Sequence, residues 1–391
     1  MGDLDTAHAA TGSRRRRMPA SVIAQALVLV LLAGGALLWW QQGQERGCWD
    51  MPARTLDLAR QPERAARVLD PGTDGTGPDD ALVRLLGDEE HWVACTYGSR
   101  NSDMGDVLTA ATTGVSAYDE SPPAVRHTRP MARVLRAAVS VLGARGTVGY
   151  GDGFAPYAAR LLAAYPSAVN QGIAGVSDEE NEANEANGKS GEAMVRFSED
   201  SGDAEALRTV VEDIAADPEA YAVLYDALRA HLAARLDTAT GPAGAKEISY
   251  QALPALAFLA GARDAHLASG RVADGAAFDR AVLRASRGGY TASPAARTAA
   301  PPPPEGAAAH RAPTERATAW ARHGARATGL GPGDAARWFM DPERQFMAAV
   351  DRWGRDREIP PARQDRVRGF LAASWLRQLD LRTPSTAPGD V

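Results

Sequence analysis

The sequence predicts a mainly α-helical protein: a single N-terminal transmembrane helix, then a mostly helical extracytoplasmic domain with at most a few short strands. Three observations predict it. An apolar run, polar only at Ser21 and Gln25, occupies Ser21 to Trp40. After it, apolar residues recur at three and four positions between capping and breaking residues. Period-two alternation is confined to short stretches, of which WVACTY (92–97) and MVRF (194–197) are the best.

The anchor comes first. Twenty residues, SVIAQALVLVLLAGGALLWW, give about 30 Å of helix, the thickness of a bilayer's hydrocarbon core. Arg14, Arg15, Arg16 and Arg17 stand just before it, which places residues 1–18 in the cytoplasm and everything beyond the 19–40 segment outside. Trp39 and Trp40 fall where an interfacial aromatic belt belongs. A cleaved signal peptide is the competing reading. The apolar run is too long for one, and QQGQERGC after it lacks a small-residue cleavage site, so a signal-anchor is expected. A buried core helix is the other alternative, and no face of the segment is polar enough for it.

The chain has 391 residues, 45% of them hydrophobic, which excludes a disulfide-knotted miniprotein, a polytopic membrane protein and a mostly disordered chain. Only Lys189 and Lys246 represent lysine among 43 basic residues, a bias that a GC-rich bacterial coding sequence explains without any special arginine chemistry. The first forty residues hold four arginines against two aspartates, which leaves −8 of the total −6 for the exterior part. An acidic exterior gives nucleic acid nothing to bind.

Cys48 and Cys95 both fall in the exterior part, where disulfides persist. A bond between them would close a loop of about 48 residues and contribute on the order of 4 kcal/mol. Two buried thiols or an intermolecular bridge are the alternatives. A His91/Cys95 metal or nucleophile pair has no third ligand nearby.

Residues 41–287 read as the helical extracytoplasmic domain. Helices are expected from Asp79-Asp80 into ALVRLLG, from Thr128 and Pro130 to a terminus at Gly143, and from Pro156 to Tyr165. Asp203 opens another. Asp217-Pro218 opens a longer one with Tyr221, Leu224, Tyr225, Leu228, Leu232 and Leu236 on a single buried stripe. Segments 248–267 and 275–286 complete the set. Between them, residues 178–205 hold ten acids against two bases and read as a solvated acidic loop, without the residue order of a calcium-binding hand.

A spacer rich in proline and alanine covers 288–313, where four consecutive prolines exclude helix. A C-terminal helical segment, 314–382, and a tail, 383–391, follow. From Gly306 to Arg382 the chain is basic, with 14 arginines against 9 acids, and holds four of the eight tryptophans. Trp338, Phe339, Phe346, Trp353, Phe370 and Trp375 recur there at near-helical spacing among arginines. They read either as the core of a small helical hairpin or as a docking face for another protein or an envelope polymer.

Three short motifs promise chemistry and lack its context. TVGYGD (147–152) has the sequence of a potassium-channel filter, but FAPYAARLLAAYP after it is broken by Pro156 and Arg160 and cannot be an inner membrane helix. A glycine-rich turn from Gly143 to Gly153 is expected instead. ANEANGKS (183–190) meets the loose form of a phosphate loop, yet acidic residues rather than a core strand precede it. Glu120-Ser121 resembles the catalytic pair of lytic transglycosylases, whose glutamate acts as general acid from a helix. Here Pro122 and Pro123 end any helix at once.

The histidines are scattered, with His231 and His266 on separate helices, so no metal or cofactor is expected. These features point to a non-catalytic binding or scaffolding ectodomain at the bacterial cell membrane. A membrane-anchored cell-wall hydrolase and a solute- or signal-sensing ectodomain are the alternatives.

Overall fold

The computed structural model describes residues 51–72, 80–86, 100–116, 127–145, 153–175, 195–239, 241–288 and 339–380. Of these residues 79% are helical and none forms a strand. The anchor segment, both cysteines, WVACTY, the three motifs, the spacer and Trp338 lie outside the described residues. No described helix is long and apolar enough to cross a membrane.

The helices are α1 (Ala53–Leu56), α2 (Pro62–Leu69), α3 (Asp80–Leu86), α4 (Arg100–Thr113), α5 (Arg129–Arg145), α6 (Ala155–Ala163) and α7 (Pro166–Ala174). After them come α8 (Asp203–Ile214), α9 (Pro218–Thr238), α10 (Pro242–Ala268), α11 (Gly275–Gly288), α12 (Pro342–Asp356) and α13 (Pro361–Asp380). A 3₁₀ turn, Asp57–Arg60, joins α1 to α2.

Helix α9 is the centre. Asp217 caps it by accepting the backbone N–H groups of Glu219 and Ala220, each at 2.8 Å, and Pro218 occupies the first turn. The expected stripe is buried. So is every residue from Ala220 to Leu232, because α6, α7, α10, α11 and α12 all pack on it. A helix enclosed on all sides must be apolar all round or must pair its polar groups. Small alanines at 220, 222, 227 and 230 let the neighbours come close, and Tyr225, Asp226 and Arg229 make the hydrogen bonds described below.

Helices α5 and α8 cross at Gly143. A β-carbon there would overlap the backbone and side chain of Ala206, so only glycine allows this approach. The expected helix end at Gly143 is therefore displaced: the helix runs two residues further, to Arg145, and the glycine serves packing rather than termination. At the same junction Asp203 begins α8. It accepts from Arg136 Nε at 2.5 Å, Ser140 Oγ at 2.6 Å and Ser201 Oγ at 2.7 Å. The acidic 178–205 stretch thus ends in a paired, buried helix start rather than in a solvated loop. Its residues 178–194 lie outside the description. Val195 and Phe197 are buried and Arg196 is half-buried between them, and these described residues form neither helix nor strand.

Helix α10 begins earlier than the sequence suggested and passes through Pro254. Proline lacks an N–H and crowds the preceding turn. Next to it, the Ala255 N–H donates to Asn170 Oδ1 on α7 at 3.1 Å, while Asn170 Nδ2 donates to the Pro166 carbonyl at 2.8 Å. Asn170 is 1% exposed, and it ties α7 to α10 at the proline.

Helices α12 and α13 form a hairpin against α9 and α10. Asp341 caps α12 by accepting the Arg344 N–H at 3.0 Å. The hairpin turn places Glu358 at φ 52°, and Gln364 Nε2 donates to the Ile359 carbonyl at 2.7 Å.

Candidate functional site

Two buried polar clusters stand out against this apolar core. The first lies between α9 and α12. Asp226 and Arg229 are one turn apart on α9, and Arg229 Nη1 donates to Asp226 Oδ1 at 2.9 Å. Its Nη2 donates to Gln345 Oε1 on α12 at 2.9 Å, and the Tyr225 hydroxyl donates to the Phe339 carbonyl at 2.9 Å. The guanidinium lies over the rings of Phe339 and Tyr225, at 4.6 and 5.1 Å from their centroids. Burial pushes the Asp226 carboxyl up to about 6, opposed by Arg229 and the Ser286 hydroxyl beside it. A cavity of about 20 Å³ beside Arg229, Gln345 and Phe346 has room for a single water. This cluster holds the C-terminal hairpin to the core.

The second cluster lies between α4 and α6. Gly105 allows the close packing there, since a β-carbon at that position would overlap the ring of Tyr157. Beside the contact, Asp106 projects from α4 and Arg160 from α6. Arg160 is 8% exposed and its guanidinium stands 4.6 Å from the Tyr157 ring centroid. Asp106 and Tyr157 are half-exposed. Four buried atoms have no hydrogen-bond partner: Asp106 Oδ1, Thr109 Oγ1, and Arg160 Nε and Nη1. Burial pushes Asp106 up to about 6, Arg160 opposes the shift and Asp103 adds to it. Burial and the neighbouring Asp106 charge raise the Tyr157 phenol.

The lower end of α4 adjoins His127, whose ring stacks on Tyr165 at 4.1 Å between centroids. The Tyr165 hydroxyl donates to the Thr112 carbonyl at 2.6 Å. Burial pushes His127 down to about 4, so the ring is neutral near pH 7. His231 is likewise buried on α9 and pushed down to about 3, by burial first and by Arg235 second. His266 Nε2 lies 2.7 Å from the Glu212 carbonyl. Among the described residues no three histidine, cysteine or acidic side chains gather at a metal site.

The aromatics expected on a docking face divide. Phe339, Phe346 and Trp353 lie in the interior at 2%, 1% and 4% exposure, which is the hairpin-core arrangement rather than a free face. Phe370 is half-buried against the same core. Trp375 lies on α13, in the half of that helix whose side chains are outside the description. The structure gathers Phe339 and Phe346 around the α9 network, and the six residues do not form one exposed surface.

Sequence reasoning missed Asp106, Asp226, Arg229 and Tyr157 altogether. Arg160 was noticed only as the charge interrupting an apolar segment. That interruption was the available signal, because arginine inside an apolar helix needs either a partner or a ligand. Comparisons of the chain with models of protein families, with curated proteins and with solved structures give no match.

Proposed function

We propose that the chain is a single-pass, membrane-anchored cell-envelope protein whose helical exterior domain binds or scaffolds without chemistry of its own. The observation that carries this reading is the Ser21–Trp40 segment, long and apolar enough to span, with Arg14–Arg17 before it and a tryptophan pair at its end. The exterior part then offers a helical core in which the α9–α12 network fixes the C-terminal hairpin. Such a platform presents surfaces in set positions. The partner is a protein or an envelope polymer. Alkaline phosphatase fused after Gln44 is expected to be active in cells, and an inactive fusion would overturn the topology. Crosslinking of the intact protein in its own membrane is expected to capture a partner through the domain beyond residue 50, and capture through residues 1–18 alone would overturn the exterior role.

A second reading, a solute-sensing ectodomain, is favoured by one observation. In the α4–α6 cluster the buried Asp106 Oδ1 and Arg160 Nε and Nη1 have no hydrogen-bond partner within the chain.

A further inference from the structure

Segment α1–α2 packs on the core by one side. Leu58, Ala59, Ala65, Ala66 and Leu69 are buried, mainly against α4 and α5. At about 100° per residue, Arg64 and Arg67 stand on the side of α2 opposite Ala65, Ala66 and Leu69. Both are exposed, as are Arg54 and Arg60 before them. The exposed acids of the same stretch are Asp57 and Glu63, so residues 52–68 carry four positive charges against two negative, net +2. Glu63 meets Arg67 at 3.9 Å with both side chains mostly in solvent, which leaves the arginine's charge open to other anions. Val68, one turn from Arg64, is the exposed large apolar side chain among the described residues, at 42%.

We propose that this arginine face of α1–α2 docks on the anionic headgroups of the bilayer that the anchor crosses. The docking rests on the anchor reading and decides which side of the exterior domain faces the lipid. Ten residues, 41–50, separate Trp40 from Met51 and reach at most about 40 Å when extended. The tether therefore holds the face, which begins at residue 52, at high local concentration over the bilayer. Charge then selects the face. The exterior part is at −8 as a whole, −6 less the +2 of residues 1–40, so an anionic surface repels it as a body and attracts this stretch. Each arginine near such a surface strengthens the attraction by about fivefold. Val68 adds an apolar contact with the headgroup layer.

The test uses the purified full-length protein in lipid nanodiscs, one set of phosphatidylcholine alone and one with about one-third phosphatidylglycerol. A trace of the same headgroup-photoreactive phosphatidylcholine in both sets labels whatever touches the surface, and mass spectrometry reads the label residue by residue. Labelling of 52–68 is expected to be at least about threefold higher in the anionic discs, and to fall to the neutral level at roughly 0.5 M salt. Arg64→Gln with Arg67→Gln is expected to abolish that difference. Arg280→Gln with Arg284→Gln, an exposed arginine pair on α11, is expected to leave it intact. Both double variants should keep the parent's thermal unfolding, since they change exposed side chains only.

Residues 41–50 report on the anchor itself. If they are labelled in both sets while 52–68 is labelled alike in neutral and anionic discs, the docking is overturned and the anchor stands. If 41–50 stay unlabelled, the anchor reading fails and takes the docking with it. An equal loss in the α11 variant would also overturn the proposal, because net charge rather than this face would then govern the contact.

Discussion

The α9–α12 and α4–α6 clusters are built from the same two residue types, an aspartate and an arginine beside a tyrosine, and they differ in closure. In the first, Arg229 bonds both Asp226 and Gln345 and lies over two aromatic rings. In the second, Arg160 touches one ring and makes no bond to Asp106. The difference teaches that a buried charge pair is not one kind of object. A closed pair is a fastener, because removing either member strands the other. In an open pair, removing one member takes no hydrogen bond from the other.

The largest effect that could break this distinction is at Arg229. Arg229→Met should lower unfolding free energy by about 3–5 kcal/mol, because Asp226 is left buried and uncompensated. Chemical denaturation measures it, and a loss below about 1 kcal/mol would remove the fastener from the comparison.

The same residue sets a pH test. The folded-state pKa of Asp226 is raised to about 6, above the ordinary carboxylate value, so the folded chain holds a proton there that the unfolded chain releases. Its contribution to stability therefore grows as pH falls from about 6 towards the ordinary carboxylate range near 4. Without Arg229 the carboxyl protonates still more readily, so the deficit of Arg229→Met should shrink between pH 7 and pH 5. A deficit that grows over that interval would mean that Asp226 is not the stranded group.

Asn170 lies between the two extremes, since it is a closed polar contact without a formal charge. Asn170→Leu should cost about 1–3 kcal/mol by leaving the Ala255 N–H buried and unmatched. Hydrogen exchange at Ala255 should quicken more than at α9 amides. An equal change everywhere would show that the loss is one of packing alone.

The smallest effect is expected at the α4–α6 cluster. Arg160→Met should change stability by less than about 1 kcal/mol, since it removes a guanidinium that makes no bond to Asp106 and keeps most of the apolar stem. A loss as large as that of Arg229→Met would make the two clusters alike and end the comparison.

Much of the helical fold is legible in the sequence where local chemistry decides it. Asp217-Pro218 marks a helix start because capping and proline geometry act within a few residues, whereas Asp203 opens α8 without capping it, its carboxylate held by Arg136, Ser140 and Ser201. Gly143 was misread because the same residue serves two purposes, and only the position of Ala206, far along the chain, selects between them. Segment 248–267 reads as one helix in spite of Pro254 and the helix does pass through it, but that Asn170 of α7 takes up the Ala255 N–H beside it has no local signal. The aromatic spacing at 339–353 was legible as one helical face, but its partner was not, because α9 had already been assigned a single stripe. The α4–α6 cluster was hidden for a plainer reason. Asp106 sits in an unremarkable local context, Arg160 shows only as a charge inside an apolar segment, and nothing in either segment announces the other.

The Tyr225 hydroxyl reaches the Phe339 carbonyl across 114 positions of chain. At ribosomal speeds of about 5–20 residues per second, that interval corresponds to roughly 6–23 s of synthesis. Throughout it the half of α9 that bears Tyr225 and Arg229 is finished but lacks its cover. The nascent chain therefore carries an uncapped aromatic and cationic strip that the mature protein hides.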